Sequence, residues 1–192
     1  MVIELGSNPC VLIGLTFLEL LLIIVPCFLA SRIEKVPFQI ELKEIGLNFS
    51  KKLHYKSIIK LTLGIMVGFI FYFSGGYINF LITVLIIQSL LGSDFVNNAS
   101  QGVINTQPVQ PNIVQLFILI LLQLFIVAIC EEAFFRGFLI TKIEKKIKVW
   151  ITILISSTIF SLYHVPPFLV PLTTTITFFG YYFMFGILLS IL

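Results

Sequence analysis

Residues 113–140 read IVQLFILILLQLFIVAICEEAFFRGFLI. From Ile113 to Cys130 the run carries no charge, its only polar interruptions being Gln115 and Gln123. That is close to the roughly 20 apolar residues a helix needs to cross a bilayer. Glu131, Glu132 and Arg136 then appear abruptly, inside an apolar continuation that reaches Ile140. Each such residue costs about 2.5–3.5 kcal/mol at the centre of an inserting helix, so three uncompensated charges cost on the order of 8–10 kcal/mol. That equals the whole stability of an ordinary domain. The three side chains are therefore expected to face the protein interior or a water-filled cavity and to serve a function.

The rest of the chain agrees with this reading. Only 11% of its 192 residues are charged, against about a quarter in a soluble domain, too little to cover a water-facing surface. The expected fold class is all-α, a polytopic transmembrane helical bundle forming one membrane domain. Within it, residues 1–111 hold the N-terminal spans with a basic cytoplasmic segment, and 112–192 hold the charged cluster. The first span runs from Cys10 to Ala30, interrupted by Glu19 and Pro26. It lacks the basic start of a cleavable signal peptide, so it is expected to be an anchor with the N-terminus outside the cytoplasm. Residues 31–56 mix apolar and charged positions (FQIEL, KEIGLNF), which suits a loop or short interfacial helix. Residues 57–91 are apolar but interrupted at Ser74-Gly75-Gly76; they form either one long kinked helix or two short ones joined by a tight turn, and one net crossing is expected from the charge pattern. The polar, turn-rich stretch 92–112 is followed by the helix quoted above, a span from Val149 to Tyr163 and a last one from Val165 onward, giving five or six spans.

All twelve Lys and Arg fall in two places, 32–60 and 136–148, while 92–111 has only Asp94. This is the positive-inside pattern, placing both basic segments in the cytoplasm and 92–111 outside. Basic residues that border apolar spans argue against nucleic acid and for membrane lipids as partners. Cys10, Cys27 and Cys130 are widely spaced and odd in number, so buried reduced thiols are expected rather than a disulfide framework. His54 reads as an ordinary interfacial residue. Glu19, near the middle of its span, has no partner that sequence alone can name.

Helical geometry offers compensation within the cluster. Glu132 and Arg136 are four residues apart and share a face, so they can pair. Glu131 lies about 100° around the helix, outside that pair. One carboxylate is then tied to a cation beside a neighbour available for chemistry, an arrangement that separates the behaviour of adjacent acids. On the next span, IFSLYHVPP places His164 just before Pro166-Pro167 and Phe160 one turn earlier on the same face. A histidine and carboxylates at membrane depth supply the groups that water activation needs: one to accept a proton, another to stabilise the developing oxyanion.

The pairing of EExxxR (Glu131, Glu132, Arg136) with FxxxH (Phe160, His164), 33 residues from Glu131 to His164, resembles the CPBP family of intramembrane proteases. That family includes the type II CAAX prenyl endopeptidases and the bacteriocin-processing and immunity proteins of the Abi group. The resemblance covers residues 112–192. It implies a helical membrane core whose site opens toward the cytoplasmic side of the cell membrane, and an endopeptidase that hydrolyses peptide bonds of membrane-associated substrates, prenylated ones among them. Glu131 would activate the attacking water, supported by Glu132 and Arg136. His164 would help bind water or the oxyanion, and Phe160 would line the site. The family's third motif, a His followed four residues later by Asn or a similar residue, has no counterpart up to residue 192. Phe183-Met-Phe-Gly186 followed by Ser190 resembles the helix that leads to it. A fragment of a longer protease, or a degenerate member acting as a non-enzymatic immunity or scaffold protein, are the two expectations. No cofactor is expected. Zinc, the alternative, usually takes three protein ligands, and here Glu131 and His164 would supply at most part of such a set. A proton pathway through Glu19, Glu131, Glu132 and His164 is a third class, disfavoured by the absence of any inverted repeat.

Overall fold

The computed structural model describes residues 9–47, 55–101 and 112–191. His54 and residues 102–111 of the polar stretch lie outside that set. Every regular element among the described residues is helical. In order they are α1 (Pro9–Leu18), α2 (Leu21–Glu34), α3 (Phe38–Glu44), α4 (Tyr55–Leu81), α5 (Ser89–Leu91), α6 (Ser93–Gln101), α7 (Ile113–Leu122), α8 (Ala128–Glu132), α9 (Thr141–Glu144), α10 (Val149–His164) and α11 (Leu172–Ile191). π-helical segments join α4 to α5 (Ile82–Gln88), α7 to α8 (Gln123–Val127) and α8 to α9 (Ala133–Ile140). Helix alone is the outcome lipid dictates, because backbone groups in hydrocarbon must be satisfied within their own segment. Among the described residues, four helices are long and apolar enough to cross a membrane: Thr16–Glu34, Phe73–Leu91, Ile113–Glu144 and Leu172–Ile191, with α10 as a shorter apolar helix.

Three local expectations are refined. Pro26 sits inside α2 without ending it; the interruption of the first span falls at Glu19 and Leu20, where backbone bonds tighten to i→i−3 (Glu19 N to Thr16 O 3.2 Å, Leu22 N to Glu19 O 3.0 Å). The helix from Tyr55 runs unbroken through Ser74-Gly75-Gly76, where the Ser74 hydroxyl donates to the Ile70 carbonyl at 2.7 Å. The last span begins at Leu172 rather than Val165, since Pro166, Pro167 and Pro171 cannot supply the amide donors of a helix interior.

The chain divides into two compact units, residues 1–48 with 105–152 and residues 49–104 with 153–192. Each draws on both the N-terminal spans and the region after Asn112. In the first unit, α1 and α2 pack along the helix Ile113–Glu144, and α3 folds back on α2. The core holds Ile23 and Cys27 from α2, Ile45, and Cys130 and Ala133. Cys27 and Cys130 are buried free thiols, as expected.

One end of this unit is held by charge. The Lys142 ammonium lies 2.8 Å from Glu34, 2.8 Å from Glu41 and 3.0 Å from Glu44, and Lys145 reaches Glu44 at 3.5 Å. Glu41 is fully buried, so Lys142 is the cation that makes its burial tolerable. The contact also sets the ends of α2 and α3 beside Lys142 and Lys145 at one end of the unit.

In the second unit, α11 packs on α6 and on the helix 55–91. The buried Thr174 hydroxyl donates to the Ala99 carbonyl at 3.0 Å. Gly186 lets α11 approach α10 so closely that an added Cβ would lie 3.0 Å from the Ser157 Cα, the small-residue packing typical of membrane helices.

Removing the cation strands a buried carboxylate. Lys142→Ala is expected to cost about 3–5 kcal/mol, whereas Lys142→Met with Glu41→Leu recovers most of the loss. The rate at which Cys27 and Cys130 become reactive to a thiol dye on heating in detergent measures both. The Lys142 hydrogen bond holds Glu44 below its ordinary value of 4.5. Its stabilising contribution is thus present above that value and lost as pH falls through the lowered one. Melting curves should show this acid loss in the native protein and not in Lys142→Met.

Candidate functional site

Glu131 and Glu132 close α8, a five-residue α-helical piece set between two π-helical segments, Gln123–Val127 and Ala133–Ile140. A π-turn widens the helix and shifts the side chains that follow it relative to an ideal α-helix; such turns cluster at functional sites. Two of them flanking one pair of acids in one span is the local feature that sequence reading missed. Nothing in the residue types of QLFIV or AFFRGFLI marks it; in the fold α1 packs on the first of these segments and α2 on the second.

Across the π-segment the expected pair forms: Arg136 Nε lies 3.4 Å from Glu132 Oε1. The Arg136 side chain is 12% exposed and that of Glu132 49%, so the cation is inside while the carboxylate sits toward the rim. The guanidinium carbon lies 5.8 Å from the centre of the buried Phe135 ring. Glu131 is half-buried, one position earlier on an adjoining face.

The Glu132–Arg136 pair borders an open groove of about 450 Å³. Ala128, Ile129, Ala133 and Gly137 form one wall and Ile45, Gly46 and Leu47 the other. The walls meet at Gly137, where an added Cβ would collide with the Ile45 carbonyl oxygen and come within 3.0 Å of the Ile45 Cβ. Hydrogen on Gly137 is thus what allows the end of α3 to lie against the charged turn. Gly46 (φ 93°) makes the turn that follows α3, in the left-handed region that glycine enters without strain.

Phe160 and His164 lie in the second unit, at the C-terminal end of α10. Their rings pack 4.2 Å apart between centroids, and Tyr182 of α11 stacks on His164 at 4.6 Å with an interplanar angle of 28°. Phe185 lies edge-on to Phe160 at 6.0 Å. His164 Nδ1 is 3.0 Å from the Phe160 carbonyl oxygen. A carbonyl can only accept, so Nδ1 carries the hydrogen and, in the neutral ring, Nε2 carries the lone pair. FxxxH is therefore a local device: the backbone of residue 160 sets the tautomer and its ring sets the tilt.

The groups of three or more potential ligand residues among the described ones reduce to Glu34, Glu41 and Glu44, whose ligand atoms lie within 4.8 Å of one another. Lys142 Nζ already meets an oxygen of each, so their charge is answered by an ammonium.

Residues 113–192 match the family model of the type II CAAX prenyl endopeptidase Rce1-like proteins, the family that the two motifs resemble. No curated protein and no solved structure matches the chain.

Gly137→Ala should force the 45–47 wall away from the motif turn, at a cost of about 1–3 kcal/mol typical of overpacking. Gly76→Ala, where nothing lies within 4 Å of the added carbon, should be neutral or slightly stabilising. Thermal unfolding of the two variants in the same detergent tests the contrast.

Proposed function

We propose that this chain is an intramembrane endopeptidase that hydrolyses peptide bonds of membrane-associated substrates in a cell membrane. Glu131 is the general base that takes a proton from the attacking water. Glu132 is held by Arg136, and the guanidinium supplies positive charge for the developing oxyanion. His164, with its Nε2 lone pair, accepts a hydrogen bond from water and orients it; its place in the same reaction rests on the joint occurrence of EExxxR and FxxxH. Phe160 fixes the imidazole. The Glu132–Arg136 contact at 3.4 Å is the observation that carries the reading. It engages one acid of the pair and leaves the division of labour between the two acids as the chemistry requires.

The mechanism as written needs no metal: a carboxylate base and a cationic oxyanion site suffice for water attack on an amide. The substrate class favoured by the family match is a prenylated C-terminal peptide. An apolar groove with a charged rim at Glu132 and Arg136 suits a substrate with a lipid-like body and a polar backbone.

In liposomes with a fluorogenic farnesylated peptide, Glu131→Ala and His164→Ala are each expected to lower kcat by about 10²–10⁴-fold, the range of a general acid–base contribution. Melting temperatures should stay close to that of the parent protein. Unchanged cleavage in either variant removes that residue from the mechanism. A parent protein that binds the peptide but never cleaves it points instead to the immunity or scaffold role.

A further inference from the structure

The fold sorts the charges at one end of the first unit. In the sequence, Arg32, Lys35 and Lys43 alternate with Glu34, Glu41 and Glu44, and neither sign is in excess. In the structure all three acids turn onto the Lys142 ammonium, at 2.8, 2.8 and 3.0 Å, and Lys145 shares Glu44 at 3.5 Å. The lysines beside them are left outward. Lys35 follows Glu34, Lys43 precedes Glu44, and Lys146 and Lys148 follow Lys145; all four are exposed. Among the described residues, the ion pairs of this end run to Lys142 and Lys145, and these four take part in none. Glu144 is an exposed acid on the same rim, outnumbered by the lysines after it.

Packing brings these lysines to one level. Ile23 and Cys27 share a core cluster with Cys130 and Ala133, and further along Glu34 meets Lys142. Residue numbers rise together, so α2 and the motif helix run parallel and end side by side. The spans Thr16–Glu34 and Ile113–Glu144 both stop here, so the lysines stand where the chain leaves the hydrocarbon. A tight turn keeps Lys146 and Lys148 close by: the Lys146 amide donates to the Ile143 carbonyl at 2.9 Å and the Ile151 amide to the Lys148 carbonyl at 3.0 Å. α10 then begins with no acid in its first turn, so the positive end of its dipole adds to the lysines. Apolar groups stand among the cations: Ile33 is 79% exposed and Trp150 74%. Tryptophan favours the membrane–water interface, and a lysine stem lies along apolar surface while its ammonium reaches out.

We propose that this end of the first unit is a docking surface for acidic phospholipids, whose headgroups take Lys35, Lys43, Lys146 and Lys148 while their acyl chains cover Ile33 and Trp150. Basic clusters that directly follow a membrane span attract acidic lipids in this way. A nucleic acid or an acidic protein would answer the lysines and leave two large apolar side chains in water; an acidic leaflet answers both. Zwitterionic headgroups bring no net charge to the surface. The surface goes beyond the reaction proposed above and does not depend on it.

The chain has a single tryptophan, Trp150, so its fluorescence reads the lipids at this surface. The full chain is placed in liposomes that mix phosphatidylglycerol with phosphatidylcholine, one or the other carrying brominated, quenching acyl chains. The ratio of the two quenching curves gives the preference for the acidic lipid. A preference of about 5–25-fold is expected, since each lysine near an acidic surface is worth about fivefold. Lys146→Gln with Lys148→Gln should bring it close to equality, and Lys146→Arg with Lys148→Arg should keep it within about twofold of the parent. Both side chains are exposed, so the variants should unfold at the parent's temperature. Salt at about 1 M, where charges are screened beyond about 3 Å, should weaken the parent's preference. Equal quenching by the two lipids in the parent, or a preference that survives Lys146→Gln with Lys148→Gln, overturns the proposal. Inorganic phosphate should leave the preference in place; if it abolishes it, the lysines hold free phosphate and the lipid assignment falls.

Discussion

Charge in a medium that will not solvate it is the constraint from which this structure follows. A lone ionised group in the hydrocarbon region is prohibitive, so each charged group at depth has to arrive with its partner. Glu132 meets Arg136 by spacing along one helix; Glu41, on a helix outside the candidate spans but buried within the protein, meets Lys142 across two segments far apart in sequence. These two contacts have different jobs. The first is local and belongs to the candidate site. The second is long-range and locks α2, α3 and the end of α9 together, which in turn fixes the parallel alignment of the first and third long spans.

Where lipid removes the ordinary hydrophobic incentive for helices to associate, close contact depends on small residues and polar groups. The first unit uses Gly137 in this way against Ile45, and the second uses Gly186 against Ser157. In both cases the close approach falls beside a motif: Gly137 follows Arg136, and Ser157 lies one turn before Phe160–Ser161. The rigid backing of each motif is therefore a missing side chain rather than an added one.

Much of this was legible in the sequence. The all-helical, multi-span class followed from composition and run lengths. The Glu132–Arg136 pair follows from helical spacing; the short helix at 38–44 is one of the two readings its mixed composition allows, and Glu19 is one of two interruptions expected in the first span, the other, Pro26, being absorbed by α2. What stayed hidden is non-local. The partners of Lys142 lie about a hundred residues away, and no spacing rule reaches that far. The stacking of Tyr182 on His164 joins two helices in the same non-local way. Of the two readings that Ser74-Gly75-Gly76 leaves open, one long helix or two short ones, the single helix forms: glycine breaks helices where water can take over the backbone hydrogen bonds, and lipid offers none.

The parallel course of α2 and the motif helix brings two helix C-termini, at Glu34 and Glu144, to the same end of the unit. Each carries about half a negative charge from its aligned peptide dipoles. Three carboxylates converge at the same end, so the local field there is strongly negative before any lysine is counted. Arg32 and Lys142, each in the last turn of its helix, answer that field. Two of the cations counted in the positive-inside pattern of the sequence are thus also ones that neutralise helix dipoles in the finished bundle. A substitution at Arg32 or Lys142 changes the charge pattern of the sequence and the stability of a helix end together.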